Sequence, residues 1–253
     1  IAARLKILLQ MSLVLAHGGR RRVIRVGRFA GQYAKPRSSS TEIRDGVELP
    51  AYRGDNVNAS AFGAAERAPD PRRLVEGHSR SALTLNFIRS LIDGGFADLH
   101  HPEYWDLDFA SHSPRGGEYQ AMVEAIGEAL RFMESLAGKQ LGEMSQVDFF
   151  TSHEGLVLEY EEALTRQVPH RPGWWNLSTH FPWIGLRTAD PDGGHVAYFS
   201  GIQNPIGVKV GTGMSVEHLL ALVERLDPHR SPGRLTLIHR FGRDGIADGL
   251  PAM

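Results

Sequence analysis

Apolar, β-branched runs that end on a charged residue alternate with amphipathic stretches stopped by glycine, and this alternation constrains the fold more than any other feature. The strand-like runs are Val23–Val26, Val147–Thr151, Phe181–Thr188, Ile206–Val210 and Arg234–Arg240. Between them, Ser79–Asp93 carries Ala82, Leu85, Ile88 and Ile92 at helical spacing, with Gly94-Gly95 as the stop. Tyr119–Ala137 places Met122, Ile126, Leu130 and Met133 for burial, with Gly138 closing it. Gly155–Arg166 reads as a further helix. Ser215 is placed to cap another, with Val216, Leu219, Leu220 and Val223 on its inner face.

Strands that alternate with helices imply parallel pairing through right-handed crossovers. The charged or polar residues fall at or near the C-terminal end of each strand: Arg28 with Lys35 and Arg37, then His153-Glu154, Arg187, Lys209 and Arg240. A (β/α)8 barrel of the TIM type has this layout, because its active site is assembled at the carboxyl ends of the strands. A doubly wound sheet would concentrate its site at one switch point, and no glycine-rich nucleotide fingerprint is present to favour one.

The stretch Val23–Ser38 shows what such a strand end can do. It leaves a β-branched run, passes Gly27 and Gly31, and delivers Lys35, Arg37 and Ser38 in a loop. Arginine offers a planar fork to phosphate oxygens, lysine a point charge and serine a hydroxyl donor. On spacing alone, a phosphate site and an ordinary basic surface loop both remain open.

Bulk composition narrows the rest. Of 253 residues, 42% are apolar and 23% charged, which suits a globular domain. The net charge of −1 gives no overall field to recruit nucleic acid or an anionic membrane, so neither is expected as a partner. Anion binding has to come from local clusters. Cysteine is absent, so disulfides and thiolate ligands are excluded from these residues. The N-terminal run superficially resembles a signal peptide, but Gln10 interrupts it and Arg20-Arg21-Arg22 follows. It reads instead as a core helix with Leu5, Leu8, Leu9 and Val14 on one face and Gly18-Gly19 as the stop. It is too short to span a membrane, so a cytoplasmic location is expected. The missing initiator Met suggests a chain that starts mid-gene. Ser39–Pro71 reads as a long irregular loop inserted in a single domain covering 1–253. Within it, Asp55 and Asn56 are expected to cap a turn. His100 and His101 read as loop histidines.

Six blocks now stand in one order: GRFAGQYAKPRS from Gly27, YRGDNVN from Tyr52, TSHEGLVLEYEEALTR from Thr151, WIGLRT from Trp183, NPIGVKVG from Asn204 and PGRLTLIHRFG from Pro232. Together they resemble the class II (plant-type) 3-deoxy-D-arabino-heptulosonate 7-phosphate (DAHP) synthases. The resemblance implies condensation of phosphoenolpyruvate with erythrose 4-phosphate and water to give DAHP and phosphate, the first step of the shikimate pathway. It implies that Arg28, Arg187, Lys209 and Arg240 bind phosphoenolpyruvate. By the same resemblance Lys35, Arg37 and Ser38 bind erythrose 4-phosphate, and Glu154 with Lys209 acts catalytically by positioning the attacking water. It also implies a divalent metal such as Mn2+, whose ligands in the family lie outside the matched blocks, and a homo-oligomer once the protein is complete.

On this resemblance the chain holds about five of the eight barrel strands, with two open parallel edges. Residues 1–253 alone are therefore expected to be inactive and poorly soluble; an active, soluble monomer of them would refute that. Three positions depart from the family pattern: Leu186 replaces an acid before Arg187, Thr212 a proline, and His239 a small polar residue. Leu186 leaves room for a degenerate, non-catalytic paralogue that binds phosphorylated metabolites or a partner enzyme. A barrel hydrolase using His153, Glu154 and His180 as metal ligands is a further alternative.

Overall fold

In the computed structural model, which describes residues 1–96, 98, 112–138, 148–251 and 253, the chain divides into two compact units. The first comprises Ile1–Phe29 and Leu83–Phe150, the second Ala30–Ala82 and Thr151–Met253. The expected loop histidines His100 and His101, and Val147, lie outside the described residues.

In chain order the elements are α1 (Ala2–Gly19), β1 (Val26–Gly27), β2 (Thr41–Arg44), β3 (Val47–Pro50), α2 (Ala64–Arg67) and α3 (Arg72–Asp93). They continue with α4 (Gly116–Ala137), β4 (Phe150–Glu154), α5 (Leu158–Ala163), β5 (Thr165–Val168), β6 (Arg171–Asn176) and β7 (Phe181–Ile184). The last are α6 (Gly194–Gly201), β8 (Ile206–Gly211), α7 (Val216–Leu226), β9 (Leu235–Arg240) and α8 (Gly242–Gly249).

In the first unit α1 buries Leu5, Leu9 and Leu13 against Ile88 of α3, Met122 of α4 and Phe149. The four-residue spacing of these leucines puts them on one helix face, which is why the segment is a core helix. Val14, expected on that face, is 49% exposed, and Met133 of α4 is 48% exposed. The end of α1 is set by Arg20, in the left-handed conformation (φ 47°), and not by Gly18-Gly19. Gly138 does close α4, donating its N–H to Glu134 O at 2.8 Å. The N–H of Phe150 donates to Arg25 O at 2.8 Å.

The sheet runs in the order β1-β4-β7-β8-β9, with β4–β7, β7–β8 and β8–β9 parallel. The fold is therefore α/β, with five strands arranged as in part of a (β/α)8 barrel. In the second unit the pleat sorts the side chains. Ile184, Ile206, Val208 and Val210 join Val196 and Phe199 of α6 and Leu219, Leu222 and Leu226 of α7 in one core. Residues of the other parity turn to the opposite face. The register pairs Glu154 with Trp183, Trp183 with Gly207, Lys209 with Ile238 and Gly211 with Arg240. That face therefore collects the polar residues.

Several boundaries differ from the sequence expectations. Ser152-His153-Glu154 lie inside β4 and not after it, because the run Thr151–Glu154 is buried and paired. The helix expected over Gly155–Arg166 stops at Ala163, and a hairpin of β5 and β6 follows, turning at His170 (φ 64°). The segment Ser39–Pro71 contains the hairpin β2–β3 and the short α2. Helix α3 begins at Arg72, earlier than Ser79. Helix α6 carried no sequence signal strong enough to be read. Helix α7 has its Ser215 cap, accepting from His218 N at 3.1 Å, but its buried face is Leu219, Leu222 and Leu226. Leu220 is 62% exposed, since the true stripe is rotated by about a quarter of a turn from the expected one. No described helix is long and apolar enough to cross a membrane.

Leu222 is fully buried between α6 and the sheet. Leu222→Ala in the complete open reading frame should cost about 2–5 kcal/mol of unfolding free energy, through lost transfer energy and a residual cavity. Urea unfolding checks this, and a loss below about 1 kcal/mol would show that the core does not close there as described.

Candidate active site

Period-2 alternation separates two neighbours that the sequence presents as a pair. His153 faces the helices and Glu154 the opposite side of β4. Glu154 is buried, and its carboxylate lies so close to Gly185 that a Cβ added there would sit 2.0 Å from Oε1. The glycine after β7 thus makes room for the acid. On the same face the Nζ of Lys209 sits 3.5 Å from the centroid of the Trp183 ring, a cation–π contact. Arg240, at the end of β9, is exposed, and its parity along the strand is that of Lys209 and Ile238.

The basic loop reaches this end of the sheet. Arg187, just past β7, donates to Ser38 Oγ from Nη2 at 3.0 Å and from Nε at 3.3 Å. Lys35, Arg37, Ser38 and Arg187 are all exposed, so their donors can face a ligand. Arg187 and Leu186 also line a cavity of about 330 Å³ together with Asp190, Ser215 and His218. The substitution at Leu186 accordingly places an apolar group at the cavity wall. Arg28 belongs to the first unit, where it is exposed just past β1.

Behind this surface lies a cluster the sequence reading did not assemble. Glu161 is fully buried, and its two oxygens accept from four donors. Oε1 accepts from Gln32 Nε2 at 2.7 Å and faces His153 Nε2 at 2.6 Å; Oε2 accepts from Ser178 Oγ at 2.6 Å and from Asn176 Nδ2. A carboxylate has about four lone-pair positions, so this one is saturated. His153 Nδ1 accepts from the N–H of Gln32 at 3.2 Å, which assigns the proton to Nε2. Gln32 Oε1 in turn accepts from Leu156 N at 3.2 Å and Val157 N at 2.7 Å. Burial pushes the Glu161 carboxyl up, but the hydrogen bonds from His153, Ser178 and Asn176 outweigh it and leave the group below the ordinary value of 4.5.

With both ring nitrogens engaged and its neighbour on the other face, His153 cannot join Glu154 in a metal site. His180 Nδ1 accepts from the N–H of Thr151 at 3.1 Å. The hydrolase alternative therefore fails on geometry. Among the described residues no group of three His, Asp or Glu could hold a metal ion, so these residues do not fit the divalent cation that the resemblance implies. Gln32 lies in GRFAGQYAKPRS and Glu161 in TSHEGLVLEYEEALTR, and burial was the missing signal. Asn176 and Ser178 carried none.

A parallel α/β sheet with cations and one buried acid toward its carboxyl ends, faced by a basic loop, has the layout of part of a (β/α)8 barrel. Residues 1–253 match the Class-II DAHP synthetase family, and the chain belongs to it. A relative from Streptomyces coelicolor, named phospho-2-dehydro-3-deoxyheptonate aldolase, is 47% identical over 253 residues, covering 100% of this chain and 56% of its own length. One of the same name from Neurospora crassa is 47% identical over 266 positions, covering 100% of this chain and 55% of its own. The chain spans a little over half the length of these relatives.

Glu161 with a depressed pKa contributes stability that is present above pH 4.5 and lost as pH falls through its lower folded value. Glu161→Gln should remove that dependence and cost about 3 kcal/mol at neutral pH, because an amide NH2 replaces one acceptor oxygen and leaves two of the four donors facing a donor. Unfolding curves at a series of pH values test this, and an unchanged acid limb in the variant would contradict it.

Proposed function

We propose that the protein carrying this chain is a DAHP synthase. It joins C3 of phosphoenolpyruvate to C1 of erythrose 4-phosphate, adds water at C2 and releases inorganic phosphate. Shikimate and aromatic biosynthesis in the cytoplasm, and a homo-oligomeric complete enzyme, belong to the same reading. The observation that carries it is the Arg187–Ser38 contact, which couples the basic loop to a strand-end cation in a chain of this family.

In this reading Arg28, Arg187, Lys209 and Arg240 hold the phosphate and carboxylate of phosphoenolpyruvate. Lys35, Arg37 and Ser38 take the phosphate of erythrose 4-phosphate. Cationic character develops at C2 as the new carbon–carbon bond forms. Glu154, held against Gly185, orients the water that quenches it, and Lys209 steadies the anionic side. Fixed cations stabilise the transition state without reorganising during the reaction, which is the larger part of their effect.

The test is phosphate release by the complete open reading frame. Lys35→Ala and Arg37→Ala should each raise KM for erythrose 4-phosphate by about tenfold or more, and Arg187→Ala should do so for phosphoenolpyruvate. Glu154→Gln should lower kcat with both KM values little changed. Unaltered kinetics in the loop variants would sink the assignment of the sugar-phosphate site.

A further inference from the structure

The motif Tyr52-Arg53-Gly54-Asp55-Asn56-Val57-Asn58 has no role in the proposal above, yet it holds the basic loop over its whole length. Asn56 Oδ1 accepts from the N–H of Tyr33, Arg53 O accepts from the N–H of Lys35 at 2.8 Å, and Tyr52 O accepts from Arg37 Nε at 2.6 Å. Gly54, at φ 97°, lies so close that an added Cβ would sit 2.1 Å from Tyr33 O, so the two backbones touch. The side chain of Tyr52 completes the arrangement: Lys35 Nζ is 5.5 Å from its ring centroid and the Arg37 guanidinium 5.9 Å.

The ring is itself anchored. The N–H of Tyr52 donates to Glu42 Oε1 at 3.1 Å, and its phenol donates to Asp55 Oδ1 at 2.5 Å. The fully buried Arg67 lies 5.9 Å from the same centroid and donates to Glu42 Oε2 at 3.1 Å and to Pro50 O at 3.1 Å. Thus β2, β3 and α2 converge on one aromatic ring.

We infer that Tyr52 is a positioning residue for the sugar phosphate: its π face sets Lys35 and Arg37 in place before the anion arrives. The inference rests on the reading of that loop as the erythrose 4-phosphate site. The physical reason lies in the choice of partner. A carboxylate would hold two cations more firmly, but it would compete with the incoming phosphate. An aromatic quadrupole attracts them and leaves their charge for the ligand. Holding them beforehand lowers the ordering cost paid on binding.

The test replaces Tyr52 by phenylalanine and then by phenylalanines of increasing fluorination, in the complete open reading frame. Ring shape and packing persist while the quadrupole weakens. KM for erythrose 4-phosphate should rise stepwise, reaching about fivefold at full fluorination, while KM for phosphoenolpyruvate and kcat stay within about twofold. Tyr52→Phe itself should resemble the parent, and Tyr52→Leu should reproduce the fully fluorinated case. A flat series overturns the inference, as does a rise in both KM values together. Lys35→Ala and Arg37→Ala measured alongside keep the two readings apart. If they raise that KM and the fluorinated series does not, only the role of Tyr52 falls; if they leave it unchanged, the site reading falls first and the inference with it.

Discussion

One buried carboxylate organises the second unit. Glu161 sits without solvent contact, yet each of its lone pairs finds a donor, from Gln32, His153, Asn176 and Ser178. An isolated buried carboxylate would be strongly destabilising, so the network is close to all-or-none: every donor present, or the site does not form. Its partners come from β4, from β6 and the residues after it, and from the segment that leads into the basic loop. Gln32 lies just ahead of Lys35, and His153 lies next to Glu154. The network therefore fixes where the loop stands relative to the strand that carries the candidate acid.

In front of that network, the chemistry rests on holding cations without cancelling them. Lys209 sits on Trp183, and Lys35 and Arg37 sit beside Tyr52. Arg187 leans on a neutral hydroxyl, Ser38. None of these four contacts is with a carboxylate. Anionic ligands can then be attracted by a chain whose net charge is only −1, because positive charge is concentrated locally in these cations.

Much of this was legible in the sequence. The alternation of strands and helices, the Ser215 cap and the Gly138 stop follow from local chemistry, and the structure keeps them. Side-chain direction was harder. The period of a strand is two, so extending β4 through Glu154 sends His153 and Glu154 to opposite faces, and only their partners across the fold show which faces what. The inner face of α7 was misread for a related reason. Leu219, Leu220, Leu222 and Val223 offer two overlapping stripes, and only packing on α6 selects between them. The β5–β6 hairpin was hidden because Thr165–Val168 has no strong pattern of its own and is held by its partner strand.

The sequence by itself determined the parallel α/β class, the cations at the strand ends and the family, since these depend on residue types and their order. Only the tertiary structure decided which groups meet. Glu161 became a hub because contacts between residues more than a hundred positions apart, such as Gln32 with His153, have no local signature. Tyr52 became the support of the basic loop because a quadrupole acts over a few ångströms, a distance that the spacing of motifs along a chain does not encode.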